Sequence, residues 1–358
     1  MPYPYFTAPP PSGDTTGATD TAQLQGAINS TPDTACLLFP CPAPYYINAR
    51  LNVFSRAGLR LLSMGSPDTL GIGKRGTELI WKGPVGIDSA LSLNYAHRCS
   101  VEGIALSFDG STTPPLAGLR LDQWPDPTMP KPTITTTTAC EVTRCLVTAP
   151  VSPPGTPATF QCVSLAQVSQ QNVDLMTFDR LVCQGGAVGV WQGSNSNGKG
   201  QLGRRCQFNK CGTAVHFLSG SGAWEDCTAQ SCGVDVQNDG VSDFWVVERW
   251  NSEGAGMAIS VQGSSAIAAV RNSRWGNMTG PAAVWHRNLP GLFLEGNYFQ
   301  GAWNGGVPFT APFQLPPAGQ APITATKLHC SGNRWYQMLP KLTQQFGICS
   351  IGMPDSET

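Results

Sequence analysis

The residues best suited to chemistry in this chain are a set of acids in its second half: Glu225, Asp226, Glu248, Glu253 and Glu295. Two carboxyl groups about 5 Å apart can cleave a glycosidic bond with retention, and a pair about 6.5–9.5 Å apart can do so with inversion. Glu248, Asp226 and Glu253 are the candidate catalytic acids on this reading. Glu248 stands out because the positions matched to it elsewhere hold Cys206, Cys227, Ser273 and Asn297. If it faces inward, burial raises its pKa and suits it to general-acid work. A local bulge that turns it outward to pair with Arg249 or Arg271 is the alternative. Proton abstraction would instead need a base, and the histidines are His97, His216, His286 and His329. His216 and His286 follow, or nearly follow, inward valines and so point outward, where a solvated surface histidine is the plainer reading. Arg249, Arg274 and Tyr298 form an outward row that suits sugar rings or carboxylated glycans, or else an ordinary polar stripe.

Thirteen cysteines include three pairs at one spacing, Cys140/Cys145, Cys206/Cys211 and Cys227/Cys232. Four thiolates can bind zinc, but this spacing is wider than the usual Cys-x-x-Cys knuckle. Stacked, small, apolar core thiols account for it better. No metal and no cofactor are expected.

These residues must be positioned by a repeat. Phe208, Ala229, Trp250, Trp275 and Phe299 follow at steps of 21, 21, 25 and 24 residues. The positions before each alternate in the period of two that marks a strand. A second apolar file, Val215, Val236, Ile259, Val284 and Val307, keeps pace with the first. Between the files, Cys211-Gly212, Cys232-Gly233 and Gly254 supply bends. A leucine-rich repeat is disfavoured because its consensus is missing. The pattern predicts an all-β chain, a single-stranded right-handed parallel β-helix in which each turn covers the apolar face of the next. Trp250 and Trp275 are assigned to its core. Trp191, Trp245, Trp285 and Trp303 are open to core, interface or sugar-platform roles. Strand-like pieces also show at Leu59–Leu62, Thr77–Trp81, Val101–Phe108, Gly118–Leu121, Cys140–Val147 and Phe160–Leu165.

Gly13-Asp14 through Asp20-Thr21-Ala22, Leu24 and Ala27-Ile28 give a short helix with Asp20 as its N-cap, placed to plug an open coil. Leu38-Phe39-Pro40, Tyr46-Ile47, Leu51-x-Val53, Leu59-x-Leu61 and Thr77-x-Leu79-Ile80 follow. Over residues 13–81 this resembles the pectate-lyase-like superfamily of parallel β-helices, in its phage-tailspike branch. The resemblance implies residues 1–12 as an arm, 13–58 as capping helix and first strands, 59–340 as the coil and 341–358 as a tail. Loop excursions are expected near 112–139, 150–157 and 307–322. The Asn-Thr-Asp, Asp-Asp and Gly-His-Gly motifs of polygalacturonases are missing, as is Trp-x-Asp-His, so activity is not inherited from the fold.

The resemblance implies a virion component that binds a bacterial surface polysaccharide and trims it, assembled in the host cytoplasm as a homotrimer with other virion proteins. A purely structural capsid or tail decoration and a free polysaccharide lyase or hydrolase are the alternatives. The N-terminus shows neither a basic n-region nor an apolar h-region. Only 13% of residues are charged and the net charge is −1, which argues against nucleic acid as a partner. No apolar run reaches the roughly 20 residues that membrane insertion requires.

Overall fold

The computed structural model describes residues 3–40, 44–65, 76–84, 88–108, 115–123, 131–149, 159–165, 173–193, 198–261, 268–280, 282–286, 291–301, 303–304, 307–308, 311–313 and 328–336. They form a right-handed parallel β-helix. Every rung supplies a strand to each of three faces. Face I runs through Leu51–Phe54, Ser89–Asn94, Ala117–Asp122, Gln161–Leu165, Val188–Gln192 and on to Met257–Val261 and Ala282–His286. Face II includes Arg60–Ser63, Ser100–Glu102, Glu141–Thr143, Thr177–Asp179 and Gln201–Arg204. Face III is an eleven-stranded parallel sheet among the described residues, from Tyr45–Ile47 to Arg334–Tyr336. Thr213–Glu225 and Val234–Glu248 are long enough to cross from face I to face II without a break.

From Ser100–Glu102 onward, faces II and III meet at a corner of one or two residues per rung, one of them in the left-handed conformation. Gly103, Arg144, Arg180, Arg205, Asp226, Arg249, Asn272 and Gly296 all have φ between 50° and 73°. Each donates its N–H to the carbonyl of the rung beyond, as Asp226 does to Glu248 and Arg249 to Arg271. The left-handed conformation is costly for non-glycine residues, and the stacked hydrogen bonds on both sides hold it in place. At the next corner the same conformation falls on Lys210, Ser231 and Gly254. For the first two rungs, the bend lies one residue before the expected Cys-Gly pairs.

The inner file on face III is Phe208, Ala229, Ser252, Trp275, Phe299 and Trp335. Trp250 is therefore not a member; it lies two residues earlier, in the file of Cys206, Cys227, Ser273 and Asn297. The cause is visible on the preceding strand. Phe217 pairs with Asn238, but Ser219 pairs with Val241 and Gly222 with Trp245, so two bulges add two residues to this rung. A bulge inserts residues without ending the ladder, and the step from Ala229 is 23 rather than 21. Glu248 is shifted with it. It pairs with Glu225 and Arg271 on the outer side of face II, not in the inner file. In the second file, Val215, Val236, Ile259 and Val284 are in register as expected, but Phe313 takes the next place. Val307 instead pairs antiparallel with Asn304.

One apolar core runs the length of the coil. Aromatic rings stack in it from rung to rung: Phe208 on Trp250 at 5.5 Å, Trp275 on Phe299 at 5.0 Å and Phe299 on Trp335 at 4.4 Å. At the inner side of the II/III corner, polar side chains replace aromatic ones. Asn297 donates to Val270 O at 2.8 Å and Asn333 donates to Leu294 O at 2.7 Å, while Ser273 N–H donates to Asn297 Oδ1 at 3.0 Å. The cysteines do similar work with sulfur: Cys206 donates to Phe178 O and Cys145 to Val101 O. The described cysteines are free thiols, all buried except the half-buried Cys330. Burial pushes the Cys99 thiol up to about 11 and that of Cys145 up to about 12, which keeps them protonated and unreactive.

The core also holds an acid. Asp235 is fully buried on face I. Its Oδ2 accepts from Trp275 Nε1 at 2.8 Å and from Trp250 Nε1 at 3.2 Å, tying face I to the opposite wall.

The helix spans Ala18–Ser30 and sends Leu24 and Ile28 into the same core. Its N-cap is Gly17, not Asp20. Asp20 lies in the first turn, fully buried, where it accepts from Ser12 N at 2.8 Å and Tyr46 N at 2.9 Å and so binds the arm to the first rung. Part of that arm, Tyr5–Thr7, is itself a strand paired with Cys36–Leu38. The expected excursion at 150–157 and the tail 341–358 lie outside the described residues.

Candidate functional site on face I

From Ser100 to face III's strand Gln207–Asn209, the corner between faces II and III takes only one or two residues, so longer connections attach elsewhere. Residues 109–116 and 149–160 lead from face III into face I. Residues 123–136, 166–172 and 193–200 lead from face I to face II. The longer connections of these rungs thus join the chain to face I, a position that solenoids commonly use for binding.

The floor between those connections is set by strand parity. Leu91, Leu93, Leu119, Leu121, Val163, Leu165, Val190, Val215, Phe217 and Val236 enter the core, so the row between them points outward. In register it reads Asn52, Ser92, Arg120, Ser164, Trp191, His216, Gln237 and Ser260. At about 4.8 Å per rung, Arg120 and His216 stand about 14 Å apart.

At one end of the row is a compact charge network. Arg50 Nη1 donates to both oxygens of Asp88 at 2.9 and 2.8 Å. Arg120 reaches Asp88 through Nη1 at 2.5 Å and Asp122 through Nη2 at 2.7 Å and Nε at 3.0 Å. The Arg120 side chain is only 4% exposed and that of Asp122 only 1%. Two guanidinium and two carboxylate groups balance one another, as buried charges must.

At the other end is an imidazole–carboxylate dyad. His216 Nε2 lies 3.1 Å from Asp239 Oδ2. Gln237 Nε2 donates to the same oxygen at 2.5 Å, and Thr213 Oγ1 donates to Gln237 Oε1 at 3.1 Å, which fixes the amide's orientation. An imidazole held by a carboxylate through one ring nitrogen presents the other as a base or hydrogen-bond acceptor. Trp191, half-buried, occupies the adjacent rung. Asp239 Oδ1 is buried and has no hydrogen-bond partner. Buried polar atoms are rarely left unmatched, and ordered water commonly satisfies such an oxygen.

The acids and cations singled out from sequence lie elsewhere. Asp226, Glu248 and Arg249 do come together, at the smooth II/III corner. Arg249 donates to Asp226 Oδ1 at 2.6 Å through Nε and to Oδ2 at 3.1 Å through Nη2, and its Nη1 lies 2.8 Å from Glu248 Oε1. Hydrogen bonding from Arg249 holds the Asp226 carboxyl below its usual range, the wrong direction for a general acid. Glu248 is turned outward onto Arg249, as in the ion-pair reading. Glu253 stands apart at the end of a face III strand, where Asn277 Nδ2 donates to it at 3.1 Å. Arg274 and Tyr298 are rung neighbours on face III, with the guanidinium 6.0 Å from the ring centroid. Their outward row contains Asn251 where Arg249 was expected, because of the same two-residue shift. Of the other histidines, His329 stacks on Phe293 at 4.7 Å, and the side chain of His286 lies outside the described residues.

His216 was legible as outward-facing from its place after Val215, and Trp191 was left open as a sugar platform. Asp239 was missed. It lies three residues past Val236 in the same alternation, the one available signal. Among the described residues no three His, Cys, Asp or Glu side chains group as a metal site.

No protein-family model and no curated protein sequence matches the chain. Solved structures do. Endo-xylogalacturonan hydrolase from Aspergillus tubingensis superimposes with a TM-score of 0.61 at 10% identity, over 97% of this chain and 99% of that one. The fold is that of the parallel β-helix proteins. The enzymatically active domain of bacteriophage CBA120 tailspike protein 2 gives a TM-score of 0.46 at 10% identity, covering 93% of this chain and 47% of that one. DFA-IIIase from Arthrobacter chlorophenolicus A6 gives 0.45 at 10% identity, covering 93% and 99%. Identities this low fix the architecture and leave function to the site.

Proposed function

We propose that this chain binds an extended glycan along face I, with Trp191 as the sugar platform and the His216–Asp239 dyad at the centre of the site. The observation that carries this reading is the dyad itself, with His216 Nε2 3.1 Å from Asp239 Oδ2 and the half-buried Trp191 on the adjacent rung. An aromatic plane takes the apolar face of a sugar ring, and the dyad beside it can hydrogen-bond a sugar hydroxyl. His216 is placed to accept a proton from a sugar hydroxyl or a water, so the same site is suited to depolymerising what it binds. The test is incubation with bacterial surface polysaccharides, reading retention in affinity electrophoresis and the appearance of new reducing ends. Trp191→Ala is expected to weaken retention about tenfold or more, in line with the loss of a buried aromatic contact, while Arg274→Ala on face III leaves it unchanged. The reverse pattern would move the site to the Arg274–Tyr298 row.

The finer reading is a phage virion component of the tailspike kind, and its support is the fold together with the resemblance over residues 13–81. It carries the expectation of a trimer, which light scattering checks: a monomeric mass at high protein concentration counts against it. One observation favours a structural virion protein instead. The strand Tyr5–Thr7 pairs with Cys36–Leu38, no strand among the described residues pairs with its other edge, and Tyr5 is 66% exposed. Such an edge is suited to joining another chain.

A further inference from the structure

We infer that two copies of this chain join end to end at the strand Tyr5–Thr7, about a two-fold axis that passes beside Phe6. The inference rests on the open edge of that strand and is independent of the glycan-binding reading. Pro4 O accepts from Cys36 N at 2.9 Å, and Ala8 N donates to Leu38 O at 2.8 Å. The even-numbered positions therefore commit their backbone groups to Cys36–Phe39, and the alternation of a parallel ladder turns the N–H and C=O groups of Tyr5 and Thr7 the other way. No strand among the described residues meets them. Tyr5, Phe6 and Thr7 are all exposed.

The side chains at this end of the coil are apolar. Among the described residues seven large apolar or aromatic side chains are exposed, and three of them are Tyr3, Tyr5 and Phe6. Phe6 pairs with Leu37, a core residue, so its ring continues the inner file at the mouth of the coil, where it is 40% exposed. A core that ends on an open ring is stabilised by meeting another apolar surface. Residues 2–12 contain no charged side chain. Two such ends therefore meet without repulsion, and the lysines that commonly guard a sheet edge are missing from this strand.

A second copy fits this edge better than an arbitrary strand does. The next position on the open side is Pro9, which has no N–H, and Pro10 and Pro11 follow it. A long foreign strand would find its ladder cut short there, whereas two identical edges placed antiparallel match one another in length. With the two Phe6 residues opposite each other, Tyr5 of each copy faces Thr7 of the other. Each such pair exchanges both of its N–H···O=C bonds. The Phe6 rings then meet on the inner side, so that one core closes the other, and the same patch serves both copies, as a two-fold interface requires.

Sedimentation equilibrium of the full chain, tagged only at its C-terminus, tests this. A mass of twice 38.0 kDa is expected, falling towards that of the single chain on dilution. Thr7→Pro removes a donor from the open edge alone, because the Thr7 N–H takes no part in the ladder with Cys36–Phe39. It should weaken dimerisation about tenfold, with an unchanged circular dichroism spectrum, while Thr7→Val, which keeps the N–H, should leave the mass unaltered. Phe6→Cys gives a separate readout. Directly opposed residues of a non-hydrogen-bonded antiparallel pair have Cα atoms about 4.5 Å apart, within reach of a disulfide. Oxidised glutathione should thus link this variant into a covalent dimer and leave the wild type, whose described cysteines are buried or half-buried, unlinked. A single-chain mass at every concentration, an oligomer that Thr7→Pro leaves intact, or a Phe6→Cys variant that does not cross-link would overturn the inference. Polysaccharide retention is read separately and bears only on face I.

Discussion

Replacing Arg120 by Met is expected to lower the stability of the coil by about 3–5 kcal/mol, the cost of removing one partner from a buried ion pair. The Asp122 carboxylate is 1% exposed and takes two hydrogen bonds from this guanidinium. Without them it must either stay charged in a low-dielectric setting or take up a proton. Asp88 suffers less, because Arg50 grips both of its oxygens. The double variant Arg120→Met/Asp122→Leu should therefore regain most of the loss. Thermal denaturation of the wild type, both single variants and the double variant gives the coupling between the pair. Additive effects would show that the two charges act independently. The same cycle bears on face I, since the network closes one end of the row that contains Trp191 and His216.

Asp235→Asn is expected to stabilise the protein at pH 8 and to have little effect near pH 4. Burial raises the Asp235 carboxyl from 3.8 to about 7, partly offset by the Ser252, Trp275 and Trp250 groups that favour the charged form. The folded state therefore holds a proton that the unfolded state releases between about pH 4 and pH 7. The resulting stability is complete below pH 4 and is lost as pH rises through 7. A shift of about three pH units corresponds to about 4 kcal/mol. Asparagine keeps an oxygen for the two indole N–H groups and removes the titration. The difference in denaturation midpoint between variant and wild type, followed from pH 4 to pH 8.5, should rise in favour of the variant and level off above pH 8. A difference that does not change with pH would mean that Asp235 has the same proton affinity folded and unfolded. Other acids, Asp226 among them, titrate in both proteins and cancel in the comparison.

Phe208, Ala229, Trp275 and Phe299 were legible as one file because stacking requires similar apolar side chains at similar intervals. Trp250 and Glu248 were misplaced because an interval in sequence cannot distinguish a longer bend from a bulge. The two residues added within Val234–Glu248 lie in a strand that is polar for much of its length, Gln237-Asn238-Asp239-Gly240, and its alternation is too weak to reveal a slip. All errors in the outward row descend from that one shift. Arg249 moved from face to corner, and the acids beside it turned from candidate catalysts into ion-pair partners. Asp235 was illegible for another reason. A single acid between Val234 and Val236 reads as outward by parity, but strands entering face I bring two successive residues inside, as Ala214 and Val215 also show. The site itself was half visible. Val215 placed His216 on the outer side, but the pairing with Asp239 depends on a contact between neighbouring rungs, which no linear pattern records.

The tight corner between faces II and III has a consequence for how this protein can change. A single residue gained or lost there would exchange the inner and outer sides of the strand that follows, putting Trp275 or Phe299 into water. Outside Thr213–Glu225 and Val234–Glu248, the stretches on the margins of face I carry no such reading frame, since each begins after one strand has ended and is complete before the next begins. Descendants of this sequence are thus free to lengthen, shorten or rewrite those margins while the spine is preserved. Ligand preference can drift quickly on a scaffold that is itself nearly forbidden to vary.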